Sequence, residues 1–527
     1  MYKKNKKDAK TNKKFYAQSP ARDQRIDDSS NDEQWYYLTD QQLHDNANWN
    51  FASILGQQFT VDNGTYGKNE SVPGLLTLLL QPTIGSAGSL EELPVNEAGQ
   101  AIWTWLRSNQ KIKQDFDQQD FMAYLIASAS AISAYVALRK VLGCAYLYSA
   151  QNKFMPRALI RSMNIDPDSV IGNMAKCRDE LNTLALNMNT IAVPGSMPYF
   201  NRMIFLYDNI YKDEDIIKAP MYHYAPSYFY VYDDVGSTAN PGSRLKRAWV
   251  GFGNHATWTF SAAVSQVMTW VDKIRNSTDG TNMSATVLNA FDDSALIKAG
   301  VIAGDYQANI VYNEEVLMQI ENAKICGKIL NGEIAQDPSM NLFGYVDDRA
   351  TPSIVGTNSL LFAETNSKVS PFALFKFHKN SVTPGEIAVA SRLVPVAKPD
   401  GFDTTAGKWQ VQINSCGTEV VEDMIMTYYD ESGTLTNKNV STMATVDYTT
   451  QTKIDNALIP LMYYAKFRCA PSLYLYRIAA TRANDAFMGT FTDLGNYCVP
   501  DDIQLSGVHQ MAVRSEFWMR NLITMRQ

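Results

Sequence analysis

Residues 121–138, FMAYLIASASAISAYVAL, run for eighteen positions without a charge. A helix that is apolar on every side has to be enclosed, either by lipid or by the rest of its own protein. Here the length only just reaches that of a membrane span, and three serines and two tyrosines make the run less apolar than a lipid-facing one. Asp115, Asp117 and Asp120 stand before it, where negative charge favours a helix start, and Arg139 and Lys140 follow. The reading is a buried helix from Gln114 to about Ser149, continuous or broken near Gly143, in a soluble protein with no membrane span. A chain of 527 residues is long enough to wrap such a helix and to form two to four domains.

From about residue 70 the pattern reads as helical. In KCRDELNTLALNMNTIA, residues 176–192, Leu181, Leu184, Met188 and Ile191 fall on one helix face, and Pro194 ends it. Val264, Val267, Met268, Val271 and Ile274 mark a second helix, stopped by NSTDGTN, and 313–330 a third, with Gly332 beyond its end. Between Tyr345 and Thr452 short apolar runs (SPFALFKFH, EIAVASRLVPVA, KWQVQINSC, STMATVDYTT) alternate with turn residues, as strands do. A helical texture resumes at Lys453 and a last segment, Val508–Met525, closes the chain. The expected fold is mainly α with an inserted β-rich module, an α+β protein.

The beginning of the chain is of another kind. MYKKNKKDAKTNKK carries seven lysines and one aspartate, about +6, while residues 15–527 hold 40 basic and 53 acidic side chains. Residues 1–50 read as a polar, basic arm, disordered over its first thirty or so positions. Its lysines, Lys3, Lys4, Lys6, Lys7, Lys10, Lys13 and Lys14, suit a solubilising tail, a nuclear localisation signal or a nucleic-acid contact. In the last case they would neutralise phosphates as point charges without reading sequence. The 28 tyrosines fit interfaces or a large core, and the run Tyr222–Tyr232 admits both uses.

Catalytic signatures are sparse. Tyr345-Val-Asp347-Asp348 matches the YxDD pattern in which paired aspartates hold two metals for phosphoryl transfer, but its flanks NLFG and RATPS read as a turn. A P-loop, a GxSxG elbow and an HExxH helix are all missing. No two of the five histidines lie within five residues of each other, and no two of the six cysteines within 28. Metal sites and a disulfide framework are therefore not expected, and the cysteines read as buried free thiols. No catalytic residue, metal ligand or cofactor is assigned.

Three segments resemble the capsid proteins of picobirnaviruses and picobirna-like viruses. Tyr146–Asp168, YLYSAQNKFMPRALIRSMNIDPD, is similar to that family's N-(R/K)-(Y/F)-x-P-(K/R)-A-L…M-G-x-D segment, with Asn164 in the place of its glycine, a residue that tolerates the same left-handed backbone. Ala192–Arg202, AVPGSMPYFNR, resembles its (A/V)-x-P-x-x-(M/F)-x-(Y/L)-F-x-R stretch, and Leu505–Phe517 its L-H-x-x-A-x-x-S-E-(F/Y) stretch. The resemblance implies a helical shell domain (51–235, returning in 453–527), a projecting region within 236–452 whose β-rich part is 345–452, and the arm at 1–50. It implies a homodimer that builds an icosahedral shell around double-stranded RNA, found in the virion and in the host cytoplasm during assembly. The alternatives from other classes are a polymerase or transferase using Asp347 and Asp348, and a non-viral binder of single-stranded nucleic acid.

Overall fold

Contacts divide the chain into two units, Met1–Ala52 and Ser53–Gln527. The computed structural model describes residues 41–47, 58–61 and 68–71, and most of 74–519, the longest omissions being 356–373 and 448–459. In the first unit, the helix Gln41–Ala47 carries a hydrogen bond from Gln41 to the Asp45 carboxylate at 2.7 Å. All further elements belong to the second unit.

The uncharged run forms the middle of one helix, Gln118–Ala145, which continues through Gly143 without a break. Asp117 occupies its N-cap, and the Asp120 carboxylate accepts the Asp117 N–H at 3.3 Å. Long and apolar enough to cross a membrane, the helix is instead a core element: 94% of its most apolar window is buried inside the protein. The helices Pro94–Asn109, Phe154–Ser162, Met174–Met188, Pro198–Asp208 and Phe260–Asn276 pack against it, as does the strand Phe229–Asp233. Gly143 lets the Ala308 backbone and the Tyr306 ring approach closely, since a Cβ there would stand 2.6 Å from the Ala308 nitrogen and 2.8 Å from the ring.

The same core holds a six-stranded sheet, counted over the described residues. Its order is Leu435–Asn439, Glu419–Tyr429, Leu75–Pro82, Met221–Pro226, Ile210–Lys212, Ile310–Val311. Leu75–Pro82, LLTLLLQP, is buried at every position, as a strand covered on both faces must be. It runs parallel to Met221–Pro226 (Leu75 opposite Met221) and antiparallel to Glu419–Tyr429 (Leu75 opposite Thr427). The helical reading from residue 70 is corrected here, because periodicity does not separate a short apolar run in a strand from one in a helix. The tyrosine-rich run divides into the strands Met221–Pro226 and Phe229–Asp233, with Tyr222, Tyr224, Tyr228, Tyr230 and Tyr232 all buried. Its place is the core. Their hydroxyls find partners, Tyr222 on Asp213 at 2.7 Å and Tyr228 and Tyr230 on the Pro82 carbonyl at 3.1 and 3.0 Å.

Other expectations are adjusted in detail. The polar run after Phe260–Asn276 starts a further helix, Thr278–Ala290, because the Ser277 hydroxyl caps it by accepting the Gly280 N–H at 3.2 Å. The helix expected over 313–330 is shorter, Glu314–Asn322; beyond it Ile325 bridges to Val421, so the chain is drawn into the sheet. EIAVASRLVPVA is half helix, Pro384–Ala390, under a Thr383–Glu386 capping box, and only then strand. After Lys453 the texture is mixed, with the strands Leu473–Ile478 and Ala486–Phe491 before the final helix Asp502–Phe517.

Residues 236–452 do not stand apart as a whole. Phe260–Asn276 shares the main core with the central helix, and Glu419–Tyr429 borders the central strand. A satellite three-stranded sheet (Ser353–Val355, Lys408–Ser415, Val396–Asp403) packs Ala397, Val411 and Ile413 into a small apolar cluster with Cys326, Ile329 and Val420, the last of these on the central-sheet strand.

Gly143→Ala tests the close approach at the central helix. Alanine favours a helix interior over glycine by about 1 kcal/mol, whereas overpacking against fixed backbone costs about 1–3 kcal/mol. The contact wins, so thermal denaturation is expected to show a lower midpoint for Gly143→Ala and a still lower one for Gly143→Val. A midpoint raised by alanine would mean that 306–308 gives way freely.

Candidate functional site: buried polar locks

Lys3, Lys4, Lys6, Lys7, Lys10, Lys13 and Lys14 lie outside the described residues, as do Asp347 and Asp348. Tyr345 of the same YxDD motif is described, and it is a structural residue. Its buried hydroxyl donates to the Gly85 carbonyl at 2.6 Å and accepts the Ile84 N–H at 3.2 Å. In the similar Tyr232-Asp233-Asp234, Asp233 is paired within its hairpin to Arg244 and Lys246, both at 2.7 Å. All six cysteines are free thiols, five buried and Cys498 partly so. Among the described residues, no group of three or more His, Cys, Asp or Glu is placed to hold a metal ion.

Two histidines are core residues with full hydrogen bonding. His223 Nδ1 lies 3.3 Å from Lys140 Nζ, which also donates to the Tyr224 carbonyl at 3.0 Å. Thr77 Oγ1 and Ser162 Oγ stand 2.8 and 3.0 Å from Nε2. With the ammonium donating to Nδ1, the ring is neutral and carries its proton on Nε2. Burial, seconded by Lys140, holds His223 well below the usual histidine range, and burial lowers Lys140 to about 8. His509 bonds Ser415 Oγ through Nδ1 and the Ser391 carbonyl through Nε2, each at 3.0 Å. Since a carbonyl only accepts, its proton too sits on Nε2.

The most connected centre is ionic. Arg202, on the helix Pro198–Asp208, reaches Glu419 with Nε at 2.8 Å and closes a second bond with its terminal nitrogen. Arg392, in the short 3-10 turn Ser391–Leu393, approaches the same carboxylate at 3.3 Å and pairs with Glu516 of the final helix. The Thr418 hydroxyl lies between the two acids, 2.6 Å from Glu516. Two guanidinium and two carboxylate groups thus balance, with the Glu419 side chain 1% exposed. Burial pushes Glu419 upward, but Arg202 and Arg392 outweigh it and hold its carboxyl at about 2. Nearby, the rings of Tyr199 and Phe517 stack at 4.6 Å.

Two of the three family-like segments meet here. Arg202 ends the second, and His509, Glu516 and Phe517 belong to the third. In the first, Arg157 pairs with Asp168 at 2.7 Å, and Asn164 has φ 54°, the left-handed conformation that a glycine would take. Sequence reasoning missed Arg392, Glu419, Lys140 and the role of His223. Their partners lie 27 to 217 positions away, and no local spacing marks them.

Closed to solvent and joining distant segments, these centres define a structural protein, built to hold a large body rigid. Known proteins agree. The family model described as picobirnavirus capsid protein matches residues 35–459. The capsid protein precursor of Human picobirnavirus (strain Human/Thailand/Hy005102/-) is 25% identical over 94% of this chain and 93% of its own length. The fold is similar to that in the X-ray crystallographic structure of the picobirnavirus capsid, with a TM-score of 0.78 and 17% identity over 94% of this chain and 99% of that one. The chain belongs to the picobirnavirus capsid protein family. Its role is that of a non-enzymatic structural protein of the virion, and the polymerase reading of Asp347 and Asp348 is overturned by that membership.

Removing one member of the ionic lock leaves charge buried and unbalanced, at a cost of about 3–5 kcal/mol. Arg392→Met is expected to lose that much in urea unfolding, and adding Glu516→Gln to recover part of it; additive losses would mean that the pair is not coupled.

Acid acts in two windows. Burial leads in lowering His509 to about 4, against about 6.5 unfolded, so its contribution is complete above pH 6.5 and fades as pH falls toward 4, on the order of 3 kcal/mol. Glu419, held low, loses its contribution only below pH 4.5, toward 2. A stability profile should therefore fall first from pH 6.5 downward, through both His509 and the likewise depressed His223, and His509→Gln should make that limb shallower without abolishing it or moving the lower one. An unchanged upper limb would assign it to other groups.

Proposed function

We propose that this protein associates as dimers into a closed icosahedral shell that encloses double-stranded RNA, with assembly in the host cytoplasm. The observation that carries the reading is family membership across residues 35–459. The locked core supports it, because repeated contacts close a shell only when each subunit keeps one shape. Exposed apolar side chains of the final helix, Ile503 and Met511, and of its approach, Tyr497 and Val499, support self-association. In this reading the projecting region lies within 236–452, with its β-rich part at 345–452; the three-stranded satellite sheet in that part supports it.

Lys3, Lys4, Lys6, Lys7, Lys10, Lys13 and Lys14 face the RNA in this reading. Their charge of about +6 lies ahead of a body whose remaining residues are net acidic. Phosphate contacts by all seven on single-stranded RNA would give a log–log salt slope of about −5. Dimer contacts of roughly 2,000–5,000 Å² outweigh one arm's charge, so assembly does not require RNA.

Electron microscopy of the full-length protein beside a chain starting at Ala17 tests both parts. Closed particles are expected from both, with absorbance at 260 nm showing RNA in the full-length particles and a marked loss in the truncated ones. Equal RNA in both would free the lysines from that role, and monomers from both would overturn the shell.

A further inference from the structure

A cavity of about 240 Å³ lies against the central helix, beneath residues 297–300. Its floor is one stripe of that helix, Ser128, Ile132, Tyr135 and Arg139, at helical spacing. Met188, Ile191, Val193 and Ile204 supply apolar walls. Interiors of this density rarely keep voids much larger than a water molecule, and an apolar cavity of about 150 Å³ already suffices to hold benzene. The space is of ligand size. Its stripe of floor residues covers eleven helical steps, roughly 16 Å at 1.5 Å each, so the volume is spread along a channel about one alkyl chain wide.

The roof is a strap. Residues 297–303 belong to no helix or strand and are held at points along their length. Ile297 donates to the Val193 carbonyl at 2.8 Å, the Asn189 side chain brackets Ala299 at 2.8 and 2.9 Å, and Tyr135 donates to the Gly300 carbonyl at 3.0 Å. Ile302 donates to Asn182 at 2.8 Å. Three of the four anchors are side chains, so the strap can part from the floor without breaking a β-ladder or a helix.

The two ends of the channel differ. At one, Arg139 pairs with Asp208 through a terminal nitrogen, while its Nε, also buried, has no hydrogen-bond partner among the described residues. Tyr135 gives its proton to Gly300 and keeps its lone pairs, and Lys298 of the strap stands at the rim, paired with Asp293 at 2.5 Å. Both cations already have a carboxylate, so the unmet capacity at this end is the buried Nε–H of Arg139, which a charged acceptor completes more strongly than a neutral one. At the other end Ser128 Oγ also lacks a partner, and a terminal methyl leaves it as it stands. The head end decides the chemistry.

We propose that this cavity binds a single-chain fatty carboxylate of medium length, its tail along the central helix and its head at Arg139. Bound there, it would fasten the strap, whose Val301 is 74% exposed and lies on the outer surface of a protein that associates with copies of itself.

The test is thermal denaturation of the full-length protein with sodium decanoate below its micellar concentration. The expected result is a saturable rise of roughly 2–5 °C at a hundredfold excess over Kd, and less than half of it with methyl decanoate. Ala131→Leu, which places a larger side chain in the channel, should remove the rise. No saturable rise with carboxylates of eight to twelve carbons, or an equal rise in Ala131→Leu, overturns the site; an equal rise with the ester overturns the head group. A diazirine-bearing decanoate gives a reading on the unaltered chain. Cross-links mapped to the peptides holding Ile132 or Ile204 support the proposal, and cross-links only elsewhere refute it.

Discussion

A helix of 28 residues with hardly a side in water obliges the rest of the chain to surround it. One amphipathic partner would cover only part of its circumference; among the described residues, helices and strands drawn from residues 94 to 290 share the task. The small residues of FMAYLIASASAISAYVAL let these neighbours come close, and Gly143 takes this furthest, where the Ala308 backbone and the Tyr306 ring occupy the space of a side chain. Because the helix is wrapped rather than leaned upon, the fold has no cheap way to open around it. Such stiffness suits a subunit that must present the same surface to many neighbours.

Within residues 391–517, Glu419–Tyr429 is tied to the body by its ladder to Leu75–Pro82. The Arg202–Glu419–Arg392–Glu516 lock adds the 3-10 turn and the final helix to that anchor, since its four charges come from four separate elements. A buried ionic cluster of this kind adds little net stability over well-packed apolar residues, but it penalises every arrangement in which one partner is absent. Its contribution is therefore to specificity. It selects one docking of the final helix, reinforced by His509 on Ser391 and by Phe517 on Tyr199.

Elements with a strong local signal were legible in the sequence. The central helix follows from an uncharged run with acids before it, and the Phe260–Asn276 helix from five apolar residues on one face. Asn164 stands where the family-like segment has glycine, and asparagine tolerates the left-handed turn that it adopts. Leu75–Pro82 was not legible, because LLTLLL satisfies helix and buried strand equally and only its pairing with Met221–Pro226 and Glu419–Tyr429 decides. EIAVASRLVPVA misled for the opposite reason: its β-branched texture yields to a Thr383–Glu386 capping box four residues long. The ionic lock had no signature at all, as Arg202 and Glu419 are brought together by topology across 217 positions.

The division of labour between charge and apolar surface then follows. Described arginines and lysines on the body are largely engaged with its own acids, as at Arg157–Asp168, Arg244–Asp233 and Arg468–Glu214. Those cations hold segments together and contribute little field at a distance, being neutralised within a few ångströms. Seven lysines with a single acid among them, at residues 3–14, are the opposite case: their charge is uncompensated locally. In the proposed assembly, contact between copies would fall to apolar side chains such as Ile503 and Met511, whose association salt hardly weakens, and salt-sensitive attraction to the lysine-rich segment. Shell contacts and nucleic-acid contacts would in that way respond to different conditions, and a particle could loosen its hold on RNA without losing its walls.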